Sequence, residues 1–166
     1  MPISLSTFIR APIDEVFAFF DDPKNTLAVN EHTVRFEIVD EQPDGRRTFE
    51  VVMRAGAKEW TQTIEQVVRE PTTRLTTQGG SWTTDRREWV LTVCTDRRFS
   101  IEGDGTRVDV TVETRLDHPF RRPFQAILNW LHQGATRTEF EYQLDLIAAR
   151  IEGVSGPDRQ HHHTLP

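Results

Sequence analysis

The feature that most constrains the fold is a succession of short segments, between residues 34 and 116, in which apolar and polar residues alternate. These segments lie at 34–38, 49–53, 60–68, around 75, 89–93, 99–101 and 108–116. Turn residues separate them, such as Gln42-Pro43-Asp44-Gly45 and Gly103-Asp104-Gly105. Alternation is typical of half-buried strands, and hairpin turns between successive strands indicate an antiparallel meander. Residues 80–97 leave two layouts open, either one long bulged strand or an additional strand.

One more strand and two short helices precede this meander. Residues 3–10 alternate between apolar and polar side chains and predict a strand. Pro12 suits the first turn of a helix, and the acidic residues at 14 and 15 complement the positive end of its dipole. That helix ends at Asp21-Asp22-Pro23, and a second short helix is predicted over 23–29.

A long helix is predicted over 123–152, where no proline follows the first residue. Gly134 is the position at which this helix would bend or divide. At 100° per residue, its apolar side chains form two stripes on opposite sides. The first stripe comprises Phe124, Ile127, Leu128, Leu131, Ala135, Thr138, Tyr142, Leu146 and Ala149. The second stripe comprises Phe140, Leu144, Ile147 and Ile151.

Both stripes need cover, which the sheet and either another helix or a second copy of the chain would supply, so a homodimer is one option. In the middle of the first stripe, Ala135, Thr138 and Tyr142 replace the large aliphatic residues that tight packing on a sheet requires. Two interpretations stay open at this point. The small and hydroxylated residues leave a void with a polar handle, or bulky sheet residues such as Trp60 and Trp89 fill that space.

The length of 166 residues fits one domain, which we place at 1–152, with 153–166 as a disordered tail. The longest apolar runs are too short to cross a membrane, and no secretory signal is visible, so we expect a cytoplasmic protein without integral membrane association. Cys94 is the single cysteine. It alternates away from Val93 and its apolar neighbours, and we interpret it as structural.

The charge balance argues against a nucleic-acid partner. The net charge is −6, which opposes binding to phosphate backbones. The Arg-Arg doublets of the chain, Arg97-Arg98 among them, lie close to aspartates such as Asp96. We interpret these doublets as neutralised surface.

Several short motifs resemble a known superfamily. The stretch from Ile9 to Phe17, which includes Ala11-Pro12, is similar to the opening motif of START-like (SRPBCC) proteins, in their polyketide cyclase/dehydrase branch. Asp22-Pro23 and Gly105-Thr106-Arg107-Val108 resemble two further motifs of that branch, and the resemblance covers about residues 3–152. Residues 25–32 depart from it, since many members carry a Trp and a Pro there.

The resemblance implies the α+β helix-grip fold, which birch-pollen-type allergens also have. In this fold a curved antiparallel sheet of about seven strands wraps around a long C-terminal helix and encloses a cavity, and two short helices follow the first strand. Members bind lipids, sterols, polyketides or other apolar molecules, and some catalyse cyclisation or dehydration in the cavity.

The residues that alternation and the helix stripes direct towards such a cavity are the candidate ligand-binding residues. They are Phe36, Phe49, Val51, Met53, Trp60, Gln62, Ile64, Gln66, Trp89, Leu91, Phe99, Val110, Val112, Ala135, Thr138 and Tyr142. The amides of Gln62 and Gln66 lie on an otherwise apolar face and need partners. They either bind a ligand oxygen or bind each other and water.

No catalytic constellation is evident in the sequence. Tyr142 and His32 are the candidate acids or bases, and no cofactor is indicated. We predict no metal site, because the histidines at 161–163 lie in the predicted tail and form no shaped site.

The sequence suggests three functions, which we rank from the most to the least favoured. The first is binding of an apolar small molecule of the lipid, polyketide or aromatic type in an internal cavity. The second is a cyclase or dehydratase acting in the same cavity. The third is a protein-interaction module whose cavity is vestigial.

Overall fold

The computed structural model describes residues 2–22, 24–25, 29, 32–80, 82–84, 87–117 and 122–156, with the side chains at 55, 58, 82–91 and 115–136 outside this description. The strands are β1 (Ile3–Ile9), β2 (Thr33–Glu41), β3 (Arg47–Ala55), β4 (Lys58–Glu70), β5 (Arg74–Gly79), β6 (Trp82–Thr84), β7 (Arg87–Glu102) and β8 (Gly105–Asp117). The helices are α1 (Ile13–Asp21) and α2 (Arg122–Glu152).

The strands form one antiparallel sheet in the order β1-β8-β7-β5-β4-β3-β2. Seven strands lie on this path, and β6 pairs with β7 beside it. The predicted antiparallel meander and α+β class are therefore confirmed, and the architecture is consistent with the helix-grip fold. In the region left open by the sequence, an additional short strand precedes one long strand, β7.

The helices follow the prediction in part. Helix α2 runs continuously through position 134, so the glycine there does not divide it. Of the second short helix predicted over 23–29, only Lys24, Asn25 and Val29 are described, and all three are helical. The rest of that helix lies outside the described residues, as does the predicted tail beyond residue 156.

The hydrophobic core lies between α1, α2 and one face of the sheet. We call this face the inner face. It is defined by Leu5, Phe99 and Val110, which cluster with Phe17 of α1 and Leu144 of α2. Phe17 also meets Phe99 edge to face, with ring centroids 5.3 Å apart. Burial of such side chains contributes about 1.5–3 kcal/mol each, which holds both helices on the sheet.

The second stripe of α2 supplies the most deeply buried side chains of the helix in its C-terminal half. Leu144 and Ile147 are each 6% exposed, and Phe140 and Ile151 pack against the same cluster. The first stripe contributes as well, since Leu146 packs against the same cluster and Ala149 is 8% exposed. The sequence pattern did not decide between the stripes because both are apolar and lie on opposite sides of the helix.

Candidate ligand-binding site on the inner face

Strand register places every predicted sheet residue whose side chain is described on the inner face. Residues directly opposite each other in antiparallel strands share a face. Phe36 lies opposite Val51, and Val51 lies opposite Gln62. Each remaining candidate joins the same face through an equivalent pairing or an even spacing along a strand; these are Phe49, Met53, Trp60, Ile64, Gln66, Phe99, Val110 and Val112. Trp89 and Leu91 lie in β7, and their side chains are outside the described set.

Burial is uneven across this face. Phe99, Val110 and Val112 are 6% exposed or less, because α1 and α2 cover the β7, β8 and β1 side. On β3 and β4, Phe49, Val51 and Gln66 are equally buried, but other inner-face residues of β2, β3 and β4 keep more accessible surface. The half-buried residues there are Phe36, Met53, Trp60, Gln62 and Ile64. An apolar surface with partial access to solvent therefore continues from the packed core.

Two neighbours shape this half-buried region. The rings of Phe36 and Phe49 lie 4.8 Å apart at an interplanar angle of 42°. The sulfur of Met53 accepts a hydrogen bond from the Thr33 hydroxyl at 3.4 Å. Aromatic rings and a thioether present polarizable apolar surface, which suits an uncharged hydrocarbon or aromatic group.

Gln66 is bound to the protein itself. Its side-chain oxygen accepts the backbone N–H of Arg47 at 3.0 Å, and its nitrogen donates to the Asp21 carboxylate at 3.2 Å. Arg69 donates to the same carboxylate, and this hydrogen bond raises the pKa of the guanidinium. These partners differ from both sets that the sequence suggested for the Gln66 amide, a ligand oxygen or Gln62 and water. Asp21 closes helix α1, as the sequence indicated, but it also joins α1 to β4, which the sequence did not reveal.

Arg97 is an inner-face residue that the sequence interpretation assigned to the surface. In β7 it lies opposite Leu75 and Val110, both of which are buried. Its guanidinium lies 5.8 Å from the ring centroid of Phe20. Arg97 is half-buried by its accessible surface, and the loss of hydration around its guanidinium lowers the pKa to about 10. The signal that would have placed it is its even spacing from Phe99.

The other arginine of the doublet behaves as predicted. Arg98 is exposed on the opposite face, where it contacts Asp96 at 3.3 Å. Asp96 also accepts hydrogen bonds from Arg74 at 2.7 Å and from Thr76 at 2.6 Å. The predicted neutralised surface is therefore real for Arg98 and Asp96, and it does not include Arg97.

The described candidates outside the sheet are Thr138 and Tyr142 of α2 and His32 before β2. Thr138 is exposed and Tyr142 is half-buried, on the side of α2 opposite Leu144 and Ile147. His32 is exposed before β2, at the sheet edge far from β1, where this part of α2 packs. The side chain of Ala135 lies outside the described set.

A separate surface groove of about 320 Å³ lies between the β1 edge and α2. Its lining residues are Ser4, Leu5, Ser6, Thr7, Arg137, Glu141, Leu144 and Asp145. Most of them are polar, and Arg137 is already paired with Glu141 at 2.8 Å. The groove is open and does not reach the half-buried residues of β2 to β4, so it is distinct from the inner-face site.

Metal-ligand clusters and membrane-crossing helices are both absent from the described part of the chain. No group of three or more His, Cys, Asp or Glu side chains converges there as metal ligands. No described helix is both long enough and apolar enough to cross a membrane.

Solved structures with the same fold span nearly the whole chain. TTHA0849 from Thermus thermophilus is 20% identical with a TM-score of 0.67, and the alignment covers 92% of this chain and 98% of that one. A START superfamily protein from Mycobacterium smegmatis is 14% identical with a TM-score of 0.66, covering 93% and 99%. The di-domain ARO/CYC protein BexL, from the BE-7585A biosynthetic pathway, is 14% identical with a TM-score of 0.65, covering 100% of this chain and 51% of BexL. At these identities the likeness concerns the fold alone.

A search of curated proteins found no match. The family model described as polyketide cyclase / dehydrase and lipid transport matches residues 3–152. This match covers the sheet, α1 and the whole of α2, and it agrees with the START-like neighbours in fold. The chain belongs to the polyketide cyclase / dehydrase and lipid transport family of the START-like (SRPBCC) superfamily.

Proposed function

We propose that this protein binds an apolar small molecule against the inner face of its sheet, on the side where α2 lies. The observation that carries the proposal is the half-buried apolar surface formed by Phe36, Met53, Trp60 and Ile64. Small-molecule sites are usually apolar with a few polar groups that orient the ligand. The family to which the chain belongs includes lipid transport in its description, which agrees with such a ligand.

Binding ranks ahead of catalysis because no cluster among the described residues demands catalysis. His32 is exposed before β2, and Tyr142 is half-buried on the side of α2 opposite Leu144 and Ile147. A general acid or base must lie within hydrogen-bond reach of the proton it moves. The BexL likeness is one of fold and names no residue of this chain, so we place binding first.

The test is titration with N-phenyl-1-naphthylamine, an uncharged probe whose fluorescence rises in apolar surroundings. We expect saturable binding with one probe per chain. Ile64→Glu should weaken binding about tenfold or more, because a carboxylate would then project into the apolar site. Thr63→Glu is the matched control, since Thr63 is the exposed neighbour on the opposite face.

Two results would overturn the proposal. One is the absence of saturable binding to the wild-type protein. The other is equal binding by wild type and Ile64→Glu, with both variants folded by circular dichroism.

A further inference from the structure

Arg97 places a positive charge among apolar side chains on the inner face. Its direct neighbours across the strands, Leu75 and Val110, are 1% and 2% exposed. Phe99, two residues along β7 on the same face, is 6% exposed. A guanidinium in these surroundings loses much of its hydration, and that loss is unfavourable unless the charge is paired.

The described residues supply little compensation for this charge. Arg97 donates one hydrogen bond, from Nη1 to the Thr77 hydroxyl at 3.3 Å, and the Phe20 ring provides one cation–π contact. A guanidinium has five N–H donors in a planar fork. No described carboxylate forms an ion pair with Arg97. Most of its donors therefore remain for an acceptor that is not part of the described chain.

The carboxylates nearby in sequence or on the same face are already engaged. Asp96 points to the opposite face and binds Arg74, Thr76 and Arg98. Asp21, on the inner side, is held by Arg69 through two oxygens and by Gln66. Because the loss of hydration lowers the pKa of Arg97 only to about 10, the side chain keeps its charge at neutral pH.

The polar groups beside Arg97 extend towards the half-buried apolar region. Thr77 and Thr95 lie opposite each other on the inner face, two residues beyond the Leu75–Arg97 pair. Gly79, which lies opposite Ile64, follows two residues further along β5. The Leu75 and Gly79 positions are about 13 Å apart along the strand. The hydrogen bond from Arg97 reaches Thr77, which is the next inner-face residue of β5 before Gly79.

We propose that Arg97 binds the carboxylate of an apolar acid whose hydrocarbon part lies along the inner face towards Ile64. The inference rests on the proposed function and specifies the ligand class of the same site. A carboxylate matches the guanidinium fork with two parallel hydrogen bonds. The Thr77 and Thr95 hydroxyls are placed to bind the same head group.

The test compares an acid with its uncharged ester as competitors for N-phenyl-1-naphthylamine. Myristate and methyl myristate share a hydrocarbon chain and differ in the head group. We expect wild-type protein to bind myristate at least about tenfold more tightly, since hydrogen bonds between charged groups contribute that much. Arg97→Met should lose this preference and still bind the probe and the ester. Arg98→Met, the adjacent arginine on the opposite face, should retain the preference.

The outcomes separate this inference from the proposed function. If wild-type protein binds the probe and both competitors with equal affinity, the assignment to Arg97 is overturned and the apolar site stands. The same holds if Arg97→Met keeps the preference for myristate. If wild-type protein binds none of the three molecules, the proposed function fails and this inference fails with it. The comparison on unmodified protein does not depend on how any variant folds.

Discussion

The carboxylate of Asp21, at the end of α1, accepts hydrogen bonds from Arg69 of β4 through both of its oxygens. Nε of Arg69 lies 2.9 Å from Oδ1, and Nη2 lies 2.7 Å from Oδ2. Both side chains are mostly buried, since Arg69 is 22% exposed and Asp21 is 11% exposed. The pair joins residues 48 positions apart and fixes α1 on the sheet beside the inner-face site.

Breaking this pair should destabilise the protein strongly. Asp21→Ala leaves the Arg69 guanidinium and the Gln66 amide without their acceptor, and we expect the free energy of unfolding to fall by about 3 kcal/mol. Urea unfolding of Asp21→Ala, Arg69→Met and the double variant measures the coupling. The double variant should be more stable than the sum of the single losses predicts. Strictly additive losses would contradict the pairing.

Gly79 should not tolerate a side chain. A Cβ at this position would lie 2.2 Å from the backbone oxygen of Thr63 and 2.7 Å from the Cα of Ile64. Because backbone atoms cannot move aside cheaply, we expect Gly79→Ala to lower the free energy of unfolding by about 2 kcal/mol. Gly56→Ala is the comparison, since its φ of 60° is strained but its Cβ would meet nothing within 4 Å. It should cost about 1 kcal/mol, and an equal loss in both variants would refute the clash.

Cys94 should react slowly with alkylating reagents. Burial, and then the nearby charge of Glu113, raise the pKa of the thiol, so little reactive thiolate is present at neutral pH. Cys94 lies opposite Gln78 and Glu113, on the face away from the proposed site. We expect iodoacetamide at about pH 7.5 to modify it more slowly than free glutathione, measured by mass spectrometry. Cys94→Ser should leave probe binding unchanged, and a loss of binding at unchanged stability would count against this placement.

Asp96 should make a contribution to stability that disappears in acid. Burial alone would raise its pKa, but hydrogen bonds from Arg74 and Thr76 outweigh burial and leave the pKa below the ordinary value. The folded-state pKa is then lower than the unfolded value of about 3.9. The contribution is therefore present above about pH 4 and is lost as the pH falls through the folded-state pKa.

The measurement compares wild type with Asp96→Asn in urea. The wild-type protein should be the more stable of the two at about pH 6, and the difference should shrink between about pH 4 and pH 3. A difference that stays constant over this interval would show that ionisation of Asp96 does not contribute. The Asp40→Asn variant serves as a control, because Asp40 lies on the exposed β2 strand.

The sequence determined the sheet more reliably than the helix faces or the charged interior. Alternation fixes which face each strand residue takes, so Phe36, Trp60 and Ile64 could be assigned together before any pairing was known. In α2 both stripes are apolar, and only tertiary packing selects Leu144 and Ile147 for the core. The short motifs of residues 9–17 identified the superfamily, and the family match confirms it.

Charged residues inside the fold were harder to predict. The Arg97-Arg98 doublet lies beside Asp96, which is typical of a solvated surface. Alternation nevertheless places the two arginines on opposite faces of β7, and Arg97 shares the face of Phe99. Asp21 was interpreted only as a helix terminator, since no local pattern links it to a residue 48 positions away. Long-range ion pairs leave no periodic signal in the sequence.

The stability of an Arg97 variant distinguishes two roles for this side chain, ligand binding and support of the fold. A largely desolvated guanidinium without a described carboxylate partner opposes folding, and methionine retains an apolar stem like that of arginine without the charge. We therefore expect the free energy of unfolding of Arg97→Met, measured in urea at about pH 7 without ligand, to lie within about 1 kcal/mol of wild type or above it. Arg69→Met is the contrast, because it leaves the Asp21 carboxylate without its main donor and should be clearly less stable. A loss of about 2 kcal/mol or more in Arg97→Met would mean that Arg97 holds the fold through Thr77 and Phe20, and it would contradict its assignment as a group that awaits a ligand.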